Sequence, residues 1–85
     1  MLGEPFIVMG GTAVGEDWYP EFGEYQAAAL RLATKHNTGF VPYQAYFDKA
    51  LELAPASYWC PDGVHPSIPG NVLMAEAWLE TFKRM

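Results

Sequence analysis

Residues 59–67 read Trp-Cys-Pro-Asp-Gly-Val-His-Pro-Ser, and this stretch is the most informative part of the chain. Two residues separate the carboxylate of Asp62 from the imidazole of His65, on a segment that two prolines stiffen and Gly63 allows to turn tightly. A carboxylate beside a histidine can orient the ring, so that its far nitrogen acts as a general base. The spacing therefore predicts an acid–base pair that lacks a convincing nucleophile opposite it.

The stretch resembles the C-terminal block of the SGNH (GDSL-type) serine esterases and lipases, where an Asp-x-x-His pair before the last helix supplies two members of a Ser-His-Asp triad. Residues 2–6 (LGEPF) resemble the end of that fold's fourth strand, and residues 40–42 (FVP) resemble its fifth. The string YWxxDGVHPSxxG, at residues 58–70, resembles the triad loop and the start of the last helix. The likeness covers nearly all of the chain but only the last portion of the family's domain.

The resemblance implies that Asp62 and His65 are catalytic residues. It also implies an intact enzyme that cleaves carboxylic esters, such as carbohydrate acetyl esters, through a serine acyl-enzyme, without cofactor or metal. The chain lacks the family's Gly-Asp-Ser block, its oxyanion-hole glycine block and its Gly-x-Asn-Asp block. We therefore expect the isolated polypeptide to have negligible esterase activity. Without the resemblance, Asp62 would be interpreted as a turn cap and His65 as a ring packed on Trp59.

The length and composition predict one small partial domain over residues 1–85, whose nucleophile-bearing half is absent. The chain has 85 residues, of which 51% are apolar and 15% aromatic, so it favours a packed core over disorder. The element order β-α-β-α-loop-α predicts an α/β fold, the C-terminal portion of a three-layer α/β/α, flavodoxin-like parallel sheet. Two parallel strands rarely form a stable sheet alone, so we expect self-association or pairing with the missing half.

Periodicity predicts where the strands and helices lie. Apolar residues 5–9, stopped by two glycines, predict a buried strand of the parallel type, and residues 40–43 predict a second strand. Residues 37–39 predict a left-handed helix end, and Ser67 predicts the N-cap of the last helix. The inner faces of the three helices are predicted to be Tyr25, Ala28, Ala29, Leu32, Ala33 and His36; Tyr46, Phe47, Ala50, Leu51 and Ala54; and Val72, Ala75, Leu79 and Phe82, widened by Trp78.

Other candidate functional residues are few. Ser57 and Ser67 are the only serines, and neither lies on the strand-to-helix elbow that exposes a nucleophile. Cys60 lies near the pair, but its acidic surroundings favour a buried apolar side chain over a thiolate. Trp18 and Trp59 lie on loops that would face the site, where they could line the substrate or equally plug the loops.

Charge and composition limit the partners. The formal net charge is −5 without clustered cations, which excludes nucleic-acid binding as a leading function. The apolar run at residues 6–9 is too short for a signal peptide or a membrane span, and a single cysteine implies no oxidising compartment. Location is left open, with the cytoplasm as the default.

Two rival functions remain at this point. One is a non-catalytic interaction module that completes its sheet with a partner or with a swapped copy of itself. The other is a metal-dependent hydrolase that uses Cys60, Asp62 and His65 as ligands.

Overall fold

Two short parallel strands form the sheet of the computed structural model, which describes residues 1–85. In the sheet, Leu2 pairs with Phe40 and Gly3 with Val41. A 3-10 helix at Glu16–Trp18 lies in the loop before the first helix. The strands and helices are β1 (Leu2–Gly3), α1 (Glu21–Lys35), β2 (Phe40–Val41), α2 (Tyr43–Ala50), α3 (Ala56–Trp59) and α4 (Ile68–Lys83). The predicted α/β class is confirmed, and α3 is a short helix that periodicity did not predict.

The strand predicted at residues 5–9 is wrong, because β1 loses its partner after Glu4. The Glu4 N–H donates to the Val41 carbonyl at 3.0 Å, and β2 ends there because α2 begins at Tyr43. The Gln44 side chain replaces the strand partner: its Oε1 accepts from the Ile7 N–H at 2.9 Å, and its Nε2 donates to the Ile7 carbonyl at 2.8 Å. A side-chain amide thus satisfies buried backbone groups that a longer β2 would otherwise pair.

The core lies between the segment after β1 and helices α2 and α3. Val8, Phe47, Ala56 and Cys60 form its buried centre. Phe6 stacks on Phe47, with ring centroids 4.6 Å apart. The predicted inner face of α2 is confirmed at its centre, since Phe47 is fully buried there.

Helix α1 confirms the predicted helix, although it begins earlier, at Glu21. Asn37 adopts the predicted left-handed conformation after the helix, with φ of 51°. The inner face is only partly as predicted: Ala33 is buried, whereas Tyr25 and Leu32 are 60% and 51% exposed. On the inner side of the helix, Gln26 contacts the segment after β1: its Nε2 donates to the Pro5 carbonyl at 2.9 Å.

The face predicted to be buried on α4 is wrong, and the opposite one packs inward. Gly70 and Ala77 are buried there, with Leu73 and Met74 half-buried beside them. A Cβ on Gly70 would lie 2.9 Å from Pro66 Cβ, so the small residues permit an approach that larger side chains would block. The bulkier stripe, Val72, Ala75, Trp78, Leu79 and Phe82, is exposed.

Candidate active site

Asp62 and His65 form a hydrogen-bonded pair on the loop between α3 and α4. Asp62 Oδ1 accepts from the backbone N–H groups of Val64 and His65, at 2.9 and 2.8 Å. The other carboxylate oxygen, Oδ2, lies 2.6 Å from His65 Nδ1. The His65 side chain is 85% exposed, so Nε2 points away from the carboxylate and is open to a reacting group. Gly63 and Val64, the two residues between the acid and the histidine, form a tight turn. This turn aligns the carboxylate with the backbone N–H groups and with the His65 ring.

The same contacts keep Asp62 ionised. The backbone N–H of His65, then that of Val64, then the His65 ring lower the pKa of Asp62 from 3.8 to about 2. A carboxylate is therefore present at neutral pH to accept a hydrogen bond from the Nδ1–H group and to stabilise an imidazolium. The local geometry thus provides an orienting acid and an exposed base.

Ser67 holds the end of this loop and begins α4, as predicted. Its hydroxyl donates to the Tyr58 and Trp59 carbonyls, at 2.6 and 3.0 Å, and accepts from the Gly70 N–H at 3.2 Å. The Ser67 N–H also donates to the Trp59 carbonyl at 2.8 Å. The serine nearest to His65 in sequence is therefore used as an N-cap.

The remaining nucleophile candidates are poorly suited to attack. Cys60 is fully buried, and burial, aided by the charge of Asp62, raises the pKa of its thiol to about 11. Ser57 lies within the short helix α3 and has no partner that would activate its hydroxyl. No serine, threonine or cysteine side chain hydrogen-bonds to His65 Nε2. The Asp62–His65 pair is therefore not accompanied by an activated nucleophile in residues 1–85.

Trp18 lies in an open cavity of about 290 Å³ between the 3-10 helix and the start of α1. Phe22 and Tyr25 supply two further aromatic walls, and Asp17 and Glu21 supply carboxylates. Asp62 and His65 do not line this cavity, so its relation to the pair stays a prediction.

Trp59 is mainly a structural residue on the evidence of its contacts. Its indole N–H donates to the Ala50 and Ala54 carbonyls, each at 3.1 Å, and its ring packs on the core. One edge also lines a groove of about 420 Å³ between α3 and α4, with Tyr58 and Val72. A contact with substrate stays a prediction for this residue too.

No group of three or more histidine, cysteine, aspartate or glutamate side chains is placed to hold a metal ion. None of the helices has both the length and the apolar character that a membrane crossing needs.

Two features of the structure do not follow from the sequence pattern. Gln44 substitutes for a strand, and Gly11 packs directly against the backbone of the Asp62 loop. The paired glycines at residues 10 and 11, directly after an apolar run, were the available signal for the second feature. A glutamine near a helix start carries no comparable signal.

Comparison with known proteins identifies the fold. No protein-family model matches the chain, and no curated protein matches it. A solved structure from Parabacteroides merdae, described as a GDSL-like lipase, is 49% identical, with a TM-score of 0.91, over 93% of this chain and 37% of that one. The acetylxylan esterase Axe2 from Geobacillus stearothermophilus is 25% identical, with a TM-score of 0.77, over 93% of this chain and 35% of that one.

The chain thus spans little more than a third of the length of these structures. Within that third, the agreement in sequence and backbone confirms the resemblance that the Asp-x-x-His string indicated. Residues 1–85 have the fold and sequence character of the C-terminal part of an SGNH/GDSL-type hydrolase domain, an α/β/α architecture.

Proposed function

We propose that this chain supplies the histidine and aspartate of an SGNH-type ester hydrolase that acts on carboxylic esters by a Ser-His-Asp mechanism. The observation that carries the proposal is the 2.6 Å contact between Asp62 Oδ2 and His65 Nδ1, with the opposite ring nitrogen exposed. Residues 1–85 would form one partial domain, and the serine and oxyanion-hole donors would come from outside it.

The pair would act in two proton transfers. His65 Nε2 accepts the proton of the serine hydroxyl as its oxygen attacks the ester carbonyl, and Asp62 stabilises the resulting imidazolium. The imidazolium then protonates the departing alcohol as the acyl-enzyme forms. Water, activated by the same nitrogen, releases the acid and regenerates the serine.

The substrate class proposed is an ester of a small molecule or a carbohydrate, with carbohydrate acetyl esters preferred. Support comes from the similarity to an acetylxylan esterase and from the aromatic side chains of Trp18 and Trp59. Aromatic faces suit the apolar faces of sugar rings, while the carboxylates of Asp17 and Glu21 could accept hydrogen bonds from hydroxyl groups.

The isolated chain would have negligible esterase activity. A single oxyanion-hole donor contributes about 3 kcal/mol to the stabilisation of the transition state in well-studied hydrolases. Neither those donors nor an activated serine accompanies His65 here. We expect no turnover of p-nitrophenyl acetate above that of a His65→Ala variant of the same chain.

The experiment that tests this function is a chimera. Residues 1–85 replace the matching part of the Parabacteroides protein, which is 49% identical, and hydrolysis of p-nitrophenyl acetate is measured. The chimera should turn over the ester, and His65→Ala should lower kcat about 10³-fold or more. His36→Ala is the matched control, since this exposed histidine ends α1. A folded chimera that is inactive, or one that retains its activity with His65→Ala, would contradict the proposal.

One observation favours the interaction module as a second candidate. The outer face of α4 exposes an apolar stripe in which Ile68, Val72 and Phe82 are 81%, 55% and 58% exposed. Trp78 stacks on Phe82 within it, with centroids 5.5 Å apart. An apolar stripe of this kind is typical of a surface that another chain covers, whether a partner or a second copy.

A further inference from the structure

The segment that follows β1 is hydrogen-bonded to the loop that carries Asp62. Residues 8–13 approach residues 61–63 through three backbone hydrogen bonds. The N–H groups of Val8, Thr12 and Ala13 donate to the carbonyls of Gly63, Pro61 and Asp62 at 2.8, 3.0 and 2.9 Å. The carbonyls on either side of the Asp62 α-carbon are therefore both held by a segment some fifty residues earlier in the sequence.

Gly11 is the point of closest approach between the two segments. It is buried, and a Cβ built on it would lie 2.5 Å from the carbonyl carbon of Asp62 and closer still to the backbone of Gly63. Backbone atoms cannot rotate aside as a long side chain can. Any larger residue at position 11 must therefore displace the Asp62–Gly63 peptide or break the hydrogen bonds around it.

The other side of the contact is equally restricted. Gly63 has φ of +97°, a conformation that side-chain-bearing residues rarely adopt. A Cβ there would lie 2.7 Å from both methyl carbons of Val14. Gly63 therefore packs against Gly11 on one side and against Val14 on the other. The peptide that follows Asp62 has no free space into which it could shift.

We propose that Gly11 is a positioning residue for Asp62: because it has no side chain, it lets the Asp62–Gly63 peptide pack against its backbone, and this placement sets the carboxylate at the distance and angle that orient His65. The inference builds on the proposed roles of Asp62 and His65 and extends them to a residue outside the motif. The turn aligns the carboxylate with the N–H groups of Val64 and His65, and a displaced peptide would misalign both contacts.

The test is the titration of the Asp62 carboxyl carbon, followed by carbon-13 NMR in the 85-residue chain. The wild-type midpoint is expected near 2, because the loop N–H groups and the His65 ring stabilise the carboxylate. Gly11→Ala should move that midpoint by about 1 pH unit or more toward the ordinary value of 3.8. Cys60 adjoins this loop, but its thiol stays protonated throughout the acidic range.

Gly15→Ala is the matched control in the same loop. The added methyl group there meets only the movable carboxylate of Asp17, so the Asp62 midpoint should stay near 2. Val14→Ala covers the case in which Gly11→Ala fails to fold. It removes packing from Gly63 without adding bulk, and it should produce a smaller shift in the same direction. If Gly11→Ala folds and its Asp62 midpoint is unchanged, the proposal is overturned. If Gly11→Ala does not fold, an unchanged midpoint in Val14→Ala overturns it.

The chimera separates this inference from the proposed function. There, Gly11→Ala should lower kcat at least tenfold with little change in KM, because Gly11 is buried against the Asp62 loop and does not offer a surface to the ester. Full activity in a chimera that carries Asp62→Asn would refute the catalytic pair itself. Loss of activity with Asp62→Asn but not with Gly11→Ala would refute only the positioning role.

Discussion

At the scale of single residues, the Asp62 carboxylate links the turn geometry to acid stability. Its pKa is lower in the folded chain, about 2, than its ordinary value of 3.8. The stabilisation is therefore complete above pH 3.8 and is lost as the pH falls toward 2. The free energy of unfolding, measured with urea, should fall more steeply in wild type than in Asp62→Asn over this interval. Equal slopes would contradict the contacts described for this turn.

The pKa of Glu4 is shifted upward, so its effect on the pH dependence of stability is opposite to that of Asp62. Burial raises its pKa, with a smaller contribution from the charge of Asp48, against the backbone N–H of Gln44, which lowers it. Protonation of Glu4 therefore favours the folded chain as the pH falls. Because Glu4 is present in both proteins, its contribution cancels when wild type and Asp62→Asn are compared.

Cys60 provides a second test at this scale. With a pKa of about 11, about one thiol in a thousand is ionised at pH 8, and burial also blocks reagents. Iodoacetamide should modify the folded chain far more slowly than the chain unfolded in urea at the same pH. Similar rates in the two states would show that Cys60 is accessible.

At the scale of elements, the Gln44 side chain makes the hydrogen bonds to Ile7 that a neighbouring strand would otherwise make. Gln44→Ala leaves the N–H and carbonyl of Ile7 without their partner, and we expect the free energy of unfolding to fall by about 2 kcal/mol. Lys49→Ala is the control, since this exposed residue lies on the same helix. Equal effects on the urea midpoint would contradict the account.

The differences between prediction and structure also belong to this scale. The Asp62–His65 pair could be predicted because its geometry is local to four consecutive residues. The end of β1 depends on Gln44, 37 residues away from Ile7, and no periodicity reports such a bond. The faces of α4 could not be distinguished by hydrophobicity, because both are apolar. Residue size decides between them, with Gly70 and Ala77 allowing the close approach.

At the scale of the whole molecule, the exposed stripe on α4 predicts association. Light scattering after size-exclusion chromatography should give a mass above that of the 9.5 kDa monomer. Replacing Trp78 and Phe82 together by glutamine should return the mass toward that of the monomer while the helix signal in circular dichroism persists. Leu53→Gln is the control, since this residue is 85% exposed and distant in sequence from α4. A monomeric wild type would contradict association through this stripe.

The most direct test of the central claim is the protonation state of the His65 ring, read from long-range proton–nitrogen NMR spectra of the intact chain above neutral pH. We expect a proton on Nδ1, donated in a hydrogen bond to Asp62, and an unprotonated Nε2 free to act as a base. Asp62→Asn should weaken that preference. A ring that carries its proton on Nε2, unchanged by Asp62→Asn, would contradict the claim that this chain holds a preformed catalytic pair.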